Sequence, residues 1–257
     1  MMRRTIAAAL LFALTAAPLH AASDKQPAPT GAPAGSPPQF TKFTTKELTR
    51  GFRALAFGSD LRLGAKPRGI RRFSGDIKTF VDSAGSVDRK AAMENILTEY
   101  GAVIPRLKIS AAKTEDDADL IVHLIDERNF ETALVEAFGA DTARAFVKKT
   151  DPQCMTSVKS RGDGAIVRVV SFVIVDKGDR VFFDCAYHEM LHAFGLSNHD
   201  QKNPWTSLNQ DRVVGYLTVY DRALLTLLYD PQIRPGMSRD EVTRALPKLI
   251  DRLRTAR

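Results

Sequence analysis

Residues 188–200 read HEMLHAFGLSNHD and hold three of the five histidines in a chain of 257 residues. Positions four apart on a helix lie almost above one another, so His188 and His192 can present both imidazoles to one point with Glu189 beside them. Neutral imidazole is a good zinc ligand, and a zinc ion with three protein ligands keeps a fourth position for water. A carboxylate next to that water can take its proton during attack on a carbonyl, which is the role expected of Glu189. Gly195 stands where a left-handed residue ends a helix and lets the chain turn back towards the metal. The third ligand is then expected from the turn itself. His199 is favoured because imidazole is the better zinc ligand, with Asn198 and Asp200 as alternatives.

Working outward, the histidines fall on a helix expected over 181–194. It follows the strongest strand in the chain, 165–175 (AIVRVVSFVIV), which is β-branched and free of Gly and Pro. The pattern predicts extended chain over 70–81 and strands at 107–109 and 120–125, the last an apolar run broken only by His123, read as a core histidine. Thr44-Thr45-Lys46-Glu47 reads as a capping sequence, with Leu48, Phe52, Leu55 and Ala56 at helical spacing before Gly58. Asp88 is expected to cap a helix that stops at Gly101, and further helices are expected near 131–138, 141–149, 218–229 and 238–254. Residues 151–164 are left as a loop.

The N-terminus has the layout of a secretory signal peptide over residues 1–22: Met1-Met2-Arg3-Arg4, an apolar run from Ile6 to Leu19, then Ala21-Ala22. Residues 23–39 (SDKQPAPTGAPAGSPPQ) bury nothing and read as a flexible linker, leaving 40–257 as one folded domain with a C-terminal helical extension. The expected location is therefore exported, periplasmic or extracellular, with no stable membrane insertion after cleavage. Cys154 and Cys185 are the only cysteines, and in an exported chain the default is a disulfide between them. The rival role for Cys185, a fourth ligand, would close the metal site. Formal charge is +7, but the basic residues are scattered among acids without a stripe of interleaved aromatics, which argues against a nucleic-acid partner.

HEMLHAFGLSNH resembles the metzincin signature His-Glu-x-x-His-x-x-Gly-x-x-His, matching at His188, Glu189, His192 and Gly195. It departs at the last place, where the signature falls on Asn198 and the histidine is His199. Leu208, in Trp205-Thr206-Ser207-Leu208-Asn209, stands where metzincins set a methionine beneath the metal. Asp117 to Val122 resembles the strand ahead of the active-site helix in matrix-metalloprotease-like domains, and Leu217-Thr218-x-x-Asp221 through Leu227-Leu228-Tyr229 resembles their closing helix, with Thr218 as N-cap. Closer still is a likeness to a bacterial exported family known as a domain of unknown function, with the motif Glu-x-x-(Gln/His)-Ala-x-Gly-Leu-x-Asn. It is carried by Ala56-Phe57-Gly58, Cys185, Glu189, Ala193 to Leu196, Asn198, Ser207-Leu208, Tyr220-Asp221, Leu228 to Pro231 and Gly236-Met237-Ser238, over roughly 45–242.

These resemblances imply an α+β zincin fold: a twisted mixed sheet, two helices on it, and a small helical lower part. The function implied is that of a zinc metalloendopeptidase, with a peptide or protein substrate lying extended beside an edge strand. The alternative is a non-catalytic zinc-binding or protein-binding module of the cell envelope. Tyr216 and Tyr220 are read as packing residues, and Trp205 as either core or groove.

Overall fold

Thr44 starts helix α1 (Thr45–Ala56) through the expected capping box. Its hydroxyl accepts from the Glu47 amide at 3.2 Å, and the Glu47 carboxylate accepts from the Thr44 amide at 2.8 Å. Such a cap contributes about 1 kcal/mol. Leu48, Phe52, Leu55 and Ala56 form the buried face of α1, as their spacing predicts. This helix and the elements below come from a computed structural model that describes residues 40–58, 69–150 and 153–255. The signal and linker expected over 1–39 lie outside the described residues.

Strands β1 (Ile77–Ser83), β2 (Ile109–Ala111), β3 (Leu120–Ile125), β4 (Cys154–Ser160) and β5 (Ile166–Ile174) form one mixed sheet in the order β2-β1-β3-β5-β4. The first three and β5 run parallel, and β4 lies antiparallel on β5 at the edge. Alternate residues of β3 and β5 enter two different cores, as a period of two requires. Leu120, Val122, Leu124, Val169 and Val173 face the larger core, built with α1, α2 (Lys90–Val103), α5 (Asp179–Ala193), α6 (Val219–Leu228) and α7 (Arg239–Thr255). Ile125, Phe172 and Ile174 face a smaller one under α3 (Glu127–Phe138) and α4 (Ala140–Thr150), filled by Phe130, Leu134 and Phe146. The architecture is a mixed α/β fold with helices on both faces of the sheet.

Strand β4 corrects the sequence reading, which leaves this stretch as a loop. Only Met155 in CMTSVKS is fully buried, so the apolar alternation that marks a half-buried strand is missing. Its place is fixed by backbone pairing to β5 from Cys154↔Val173 to Ser160↔Ile166. Helix α2 runs past Gly101 to Val103, and its N-cap position is Arg89; Asp88 still serves the first turn, accepting from the Lys90 amide at 3.0 Å. Strand β2 falls two residues later than expected, and α3 starts earlier, at Glu127. His123 has partners as read but is half-buried rather than core: Nδ1 lies 3.2 Å from an Asp82 oxygen, and the ring stacks on Phe172.

Candidate metal centre

Helix α5 lies along β4 in the same direction, and two successive rungs fix its register. Cys154 is joined to Cys185 in the expected disulfide, with Cα atoms 5.8 Å apart. Two residues further along the strand and four further along the helix, the Thr156 hydroxyl sits 3.3 Å from the Glu189 carbonyl oxygen. Four helical residues rise about 6 Å and two strand residues about 6.8 Å, so the rungs match and Glu189 is carried to the sheet edge. The bridge also answers the rival role for Cys185, whose sulfur is committed to Cys154.

The end of α5 is built by Gly195, whose φ is +109°. The Leu196 amide reaches back to the Leu191 carbonyl at 3.0 Å, and the Gly195 amide to that of His192 at 3.0 Å. This is the Schellman arrangement, which favours glycine at the left-handed position. A Cβ at Gly195 would also collide with the Arg71 carbonyl oxygen. The turn delivers the Leu196 carbonyl to His192 Nδ1 at 2.6 Å, while Ser207 presents its carbonyl to His188 Nδ1 at 2.9 Å.

A carbonyl oxygen only accepts, so both Nδ1 atoms carry the proton and both Nε2 atoms offer a lone pair. Those lone pairs meet. His188 Nε2 lies 3.2 Å from His192 Nε2, and His199 Nε2 lies 2.8 Å from the first and 3.1 Å from the second. Protonation is a poor remedy for their repulsion. Burial, then the neighbouring His199, hold His188 down at about 3 despite the bond to Ser207. Burial, then His199 and His188, hold His192 well below the usual histidine value.

The donor set therefore fits a cation. Tetrahedral zinc with nitrogen ligands at about 2.0–2.1 Å sets those nitrogens roughly 3.3 Å apart, a few tenths of an ångström wider than the trio stands. Among the described residues His188, His192 and His199 form a group that could hold a metal ion, and each of the three is half-buried. Glu189 is buried beside them. Burial pushes its carboxyl up to about 7, against a lowering hydrogen bond from Thr156.

The alternatives for the third ligand point elsewhere. The Asn198 amide donates to the Ala54 carbonyl of α1 at 2.9 Å, and Asp200 pairs with Arg50 at 3.4 Å. Both flank His199 and tie its loop to α1. Leu208 is fully buried in the larger core just after Ser207.

Residues 45–248 match the model of a family described as "Protein of unknown function (DUF2927)". The chain belongs to that family. No curated protein matches the chain. Every residue of the centre in this DUF2927 member, from Thr156 and His188 to Asp221, lies within the matched span.

The sequence reading passes over the groups that aim the histidines. Asp221 accepts from the Ser207 amide (2.9 Å) and hydroxyl (3.0 Å), from Thr206 Oγ1 (2.5 Å) and from Thr218 Oγ1 (2.8 Å). It thereby holds the segment whose carbonyl orients His188. Ser207 and Asp221 are both among the residues that carry the family likeness, but nothing in their spacing assigns a role. Thr218 caps α6 as expected, accepting from the Asp221 amide at 3.0 Å. Tyr220 is buried and donates to the Glu47 carbonyl at 2.9 Å, a packing role as read. Tyr216 is 44 % exposed and Trp205 51 %; Tyr216 is not a core residue, and Trp205 only leans an edge on Phe43.

Proposed function

We propose that the chain is an exported zinc-dependent peptidase of zincin-like design, in which His188, His192 and His199 hold the metal and Glu189 is the general base. What carries this reading is the convergence of three Nε2 atoms within 3.2 Å, two of which present lone pairs because backbone carbonyls fix the tautomers of His188 and His192. Such a site is costly to fold around empty space and well matched to a divalent ion. Zinc bound there would supply a Lewis acid for a carbonyl and lower the pKa of its water towards neutrality.

The protein's own groups do the rest. Glu189, whose carboxyl sits near 7 when buried without metal, can accept the proton of the attacking water and return it to the leaving amine. Thr156, on β4, donates to the Glu189 backbone carbonyl at 3.3 Å, so the turn of helix that carries the base is tied to the edge strand. Among the described residues that strand pairs on one side only, leaving its other edge to take an extended peptide by backbone hydrogen bonding. The disulfide agrees with an oxidising compartment and so with export. Among the described residues no helix is long and apolar enough to cross a membrane.

The test is zinc content of the purified protein, followed by casein cleavage by the native chain and Glu189→Gln. One zinc per chain is expected, lost in His188→Ala, His192→Ala and His199→Ala and kept in Asn198→Ala. Cleavage is expected to vanish in Glu189→Gln with zinc retained. Zinc bound with no difference between native and Glu189→Gln would instead favour a zinc-binding module without turnover.

A further inference from the structure

Residues 70–73 run beside the start of β5, with Arg72 bridged to Ala165. Neighbouring side chains of an extended segment point to opposite sides. Arg72 goes one way, donating to the carbonyls of Leu228 (2.8 Å) and Ile233 (2.8 Å) and lying over the Tyr229 ring. Arg71 goes the other. Its carbonyl packs against Gly195 at the turn that follows His192, which sets the start of its side chain beside that turn.

Arg72 is fully employed and Arg71 is not. The Arg71 Nε is buried without a hydrogen-bond partner, and no carboxylate among the described residues pairs with its guanidinium. Burial alone pulls it below the ordinary arginine value. A half-buried cation with no carboxylate partner among the described residues, next to a site for a divalent cation, weakens that site by repulsion. The arrangement becomes favourable once an anion lies between the two charges. A guanidinium matches a carboxylate through two parallel N–H donors.

We propose that Arg71 is the specificity residue of this centre, binding a carboxylate group of the ligand that approaches the His188/His192/His199 site. The inference rests on the zinc reading above and adds a substrate class to it: peptides whose free C-terminal carboxylate falls close to the scissile bond. Arg71 attracts and positions that carboxylate, while proton transfer stays with Glu189.

The experiment measures zinc affinity by competition with a chromophoric chelator, for the native chain, Arg71→Gln and Arg71→Lys, with and without sodium acetate at constant ionic strength. Without acetate, Arg71→Gln should bind zinc on the order of ten-fold tighter than native, because a like charge is gone. A merely structural arginine would give the opposite sign. Acetate should tighten zinc binding by the native chain and leave Arg71→Gln unmoved. Arg71→Lys, which keeps the charge without the fork, should match native zinc affinity and lose most of the acetate response.

A second arm uses zinc-loaded Glu189→Gln and a peptide pair identical except for a C-terminal carboxylate or amide. The carboxylate peptide should bind about ten-fold tighter, a gap closed by adding Arg71→Gln. Zinc bound by the native chain with no acetate response, or with equal affinity in Arg71→Gln, overturns the role of Arg71 alone. No zinc bound by the native chain overturns the metal reading and this inference together. Equal binding of the two peptides overturns the carboxylate assignment.

Discussion

The imidazole of His192 is held by the turn that ends its own helix: Nδ1 lies 2.6 Å from the carbonyl oxygen of Leu196, four residues on. The ligand and the group that orients it are therefore one piece of local structure, and Gly195 is its hinge. Gly195→Ala would force a side chain into φ +109° and against the Arg71 carbonyl. The expected cost is about 3 kcal/mol of folding stability, with zinc affinity reduced on the order of ten-fold as the Leu196 carbonyl shifts. Urea unfolding and chelator competition check both. A variant as stable and as tight as native would separate the turn from the site.

Glu189 gives a pH signature in the metal-free protein. Its carboxyl is raised from an ordinary 4.5 to about 7, mainly by burial, so the folded state binds the proton more tightly than the unfolded state does. The stabilisation is fully present below pH 4.5 and is lost as pH rises through 7, a change of about 3 kcal/mol. Glu189→Gln carries no charge to bury and escapes the loss. Unfolding at several pH values should show the variant gaining on native between pH 4.5 and 7 and holding that gain above. A gap independent of pH would mean that the carboxyl is not desolvated.

How much of this was legible in the sequence can be read from those same residues. The 3.6-residue period of α5 and the left-handed demand at Gly195 are local properties, and they bring His188, Glu189 and His192 together from the sequence alone. His199 over Asn198 and Asp200 was legible only as chemistry. Its basis is tertiary, since α1 takes Asn198 through Ala54 and Asp200 through Arg50. Strand β4 was hidden because an edge strand draws its order from a neighbour's backbone rather than from its own side chains. Arg71 and Asp221 act across 121 and 33 residues of chain on His192 and His188 respectively, and no periodicity reports a contact of that kind.

Asp221 should act on the metal without touching it. It is buried among donors from Thr206, Ser207 and Thr218, and Ser207 in turn orients His188. Asp221→Ala would leave those donors unpaired, costing about 2–4 kcal/mol, and would weaken zinc binding about 10–100-fold. Asp221→Asn, which keeps one accepting oxygen, should fall between. Thermal unfolding with and without zinc separates the two effects; intact zinc affinity in a folded Asp221→Ala would break the proposed chain from Asp221 to His188.

The disulfide is expected to hold the edge strand to the helix of the histidines. Cys154 and Cys185 are separated by 31 residues, for which loop closure gives a stabilisation of about 3–4 kcal/mol. Cys154→Ser with Cys185→Ser should lower the unfolding free energy by that amount. Because the Thr156 rung is one step further along, hydrogen exchange at β4 amides should rise more than exchange in the parallel strands. Uniform acceleration across the sheet would show that the bridge does not act on the edge locally.

Anomalous diffraction at the zinc absorption edge, from crystals grown with one equivalent of zinc, addresses the three-histidine centre most directly. The expected result is a single peak about 2.0–2.1 Å from Nε2 of His188, His192 and His199, with solvent at a fourth corner facing Glu189. A peak ligated by other residues, or none at these rings, would contradict it.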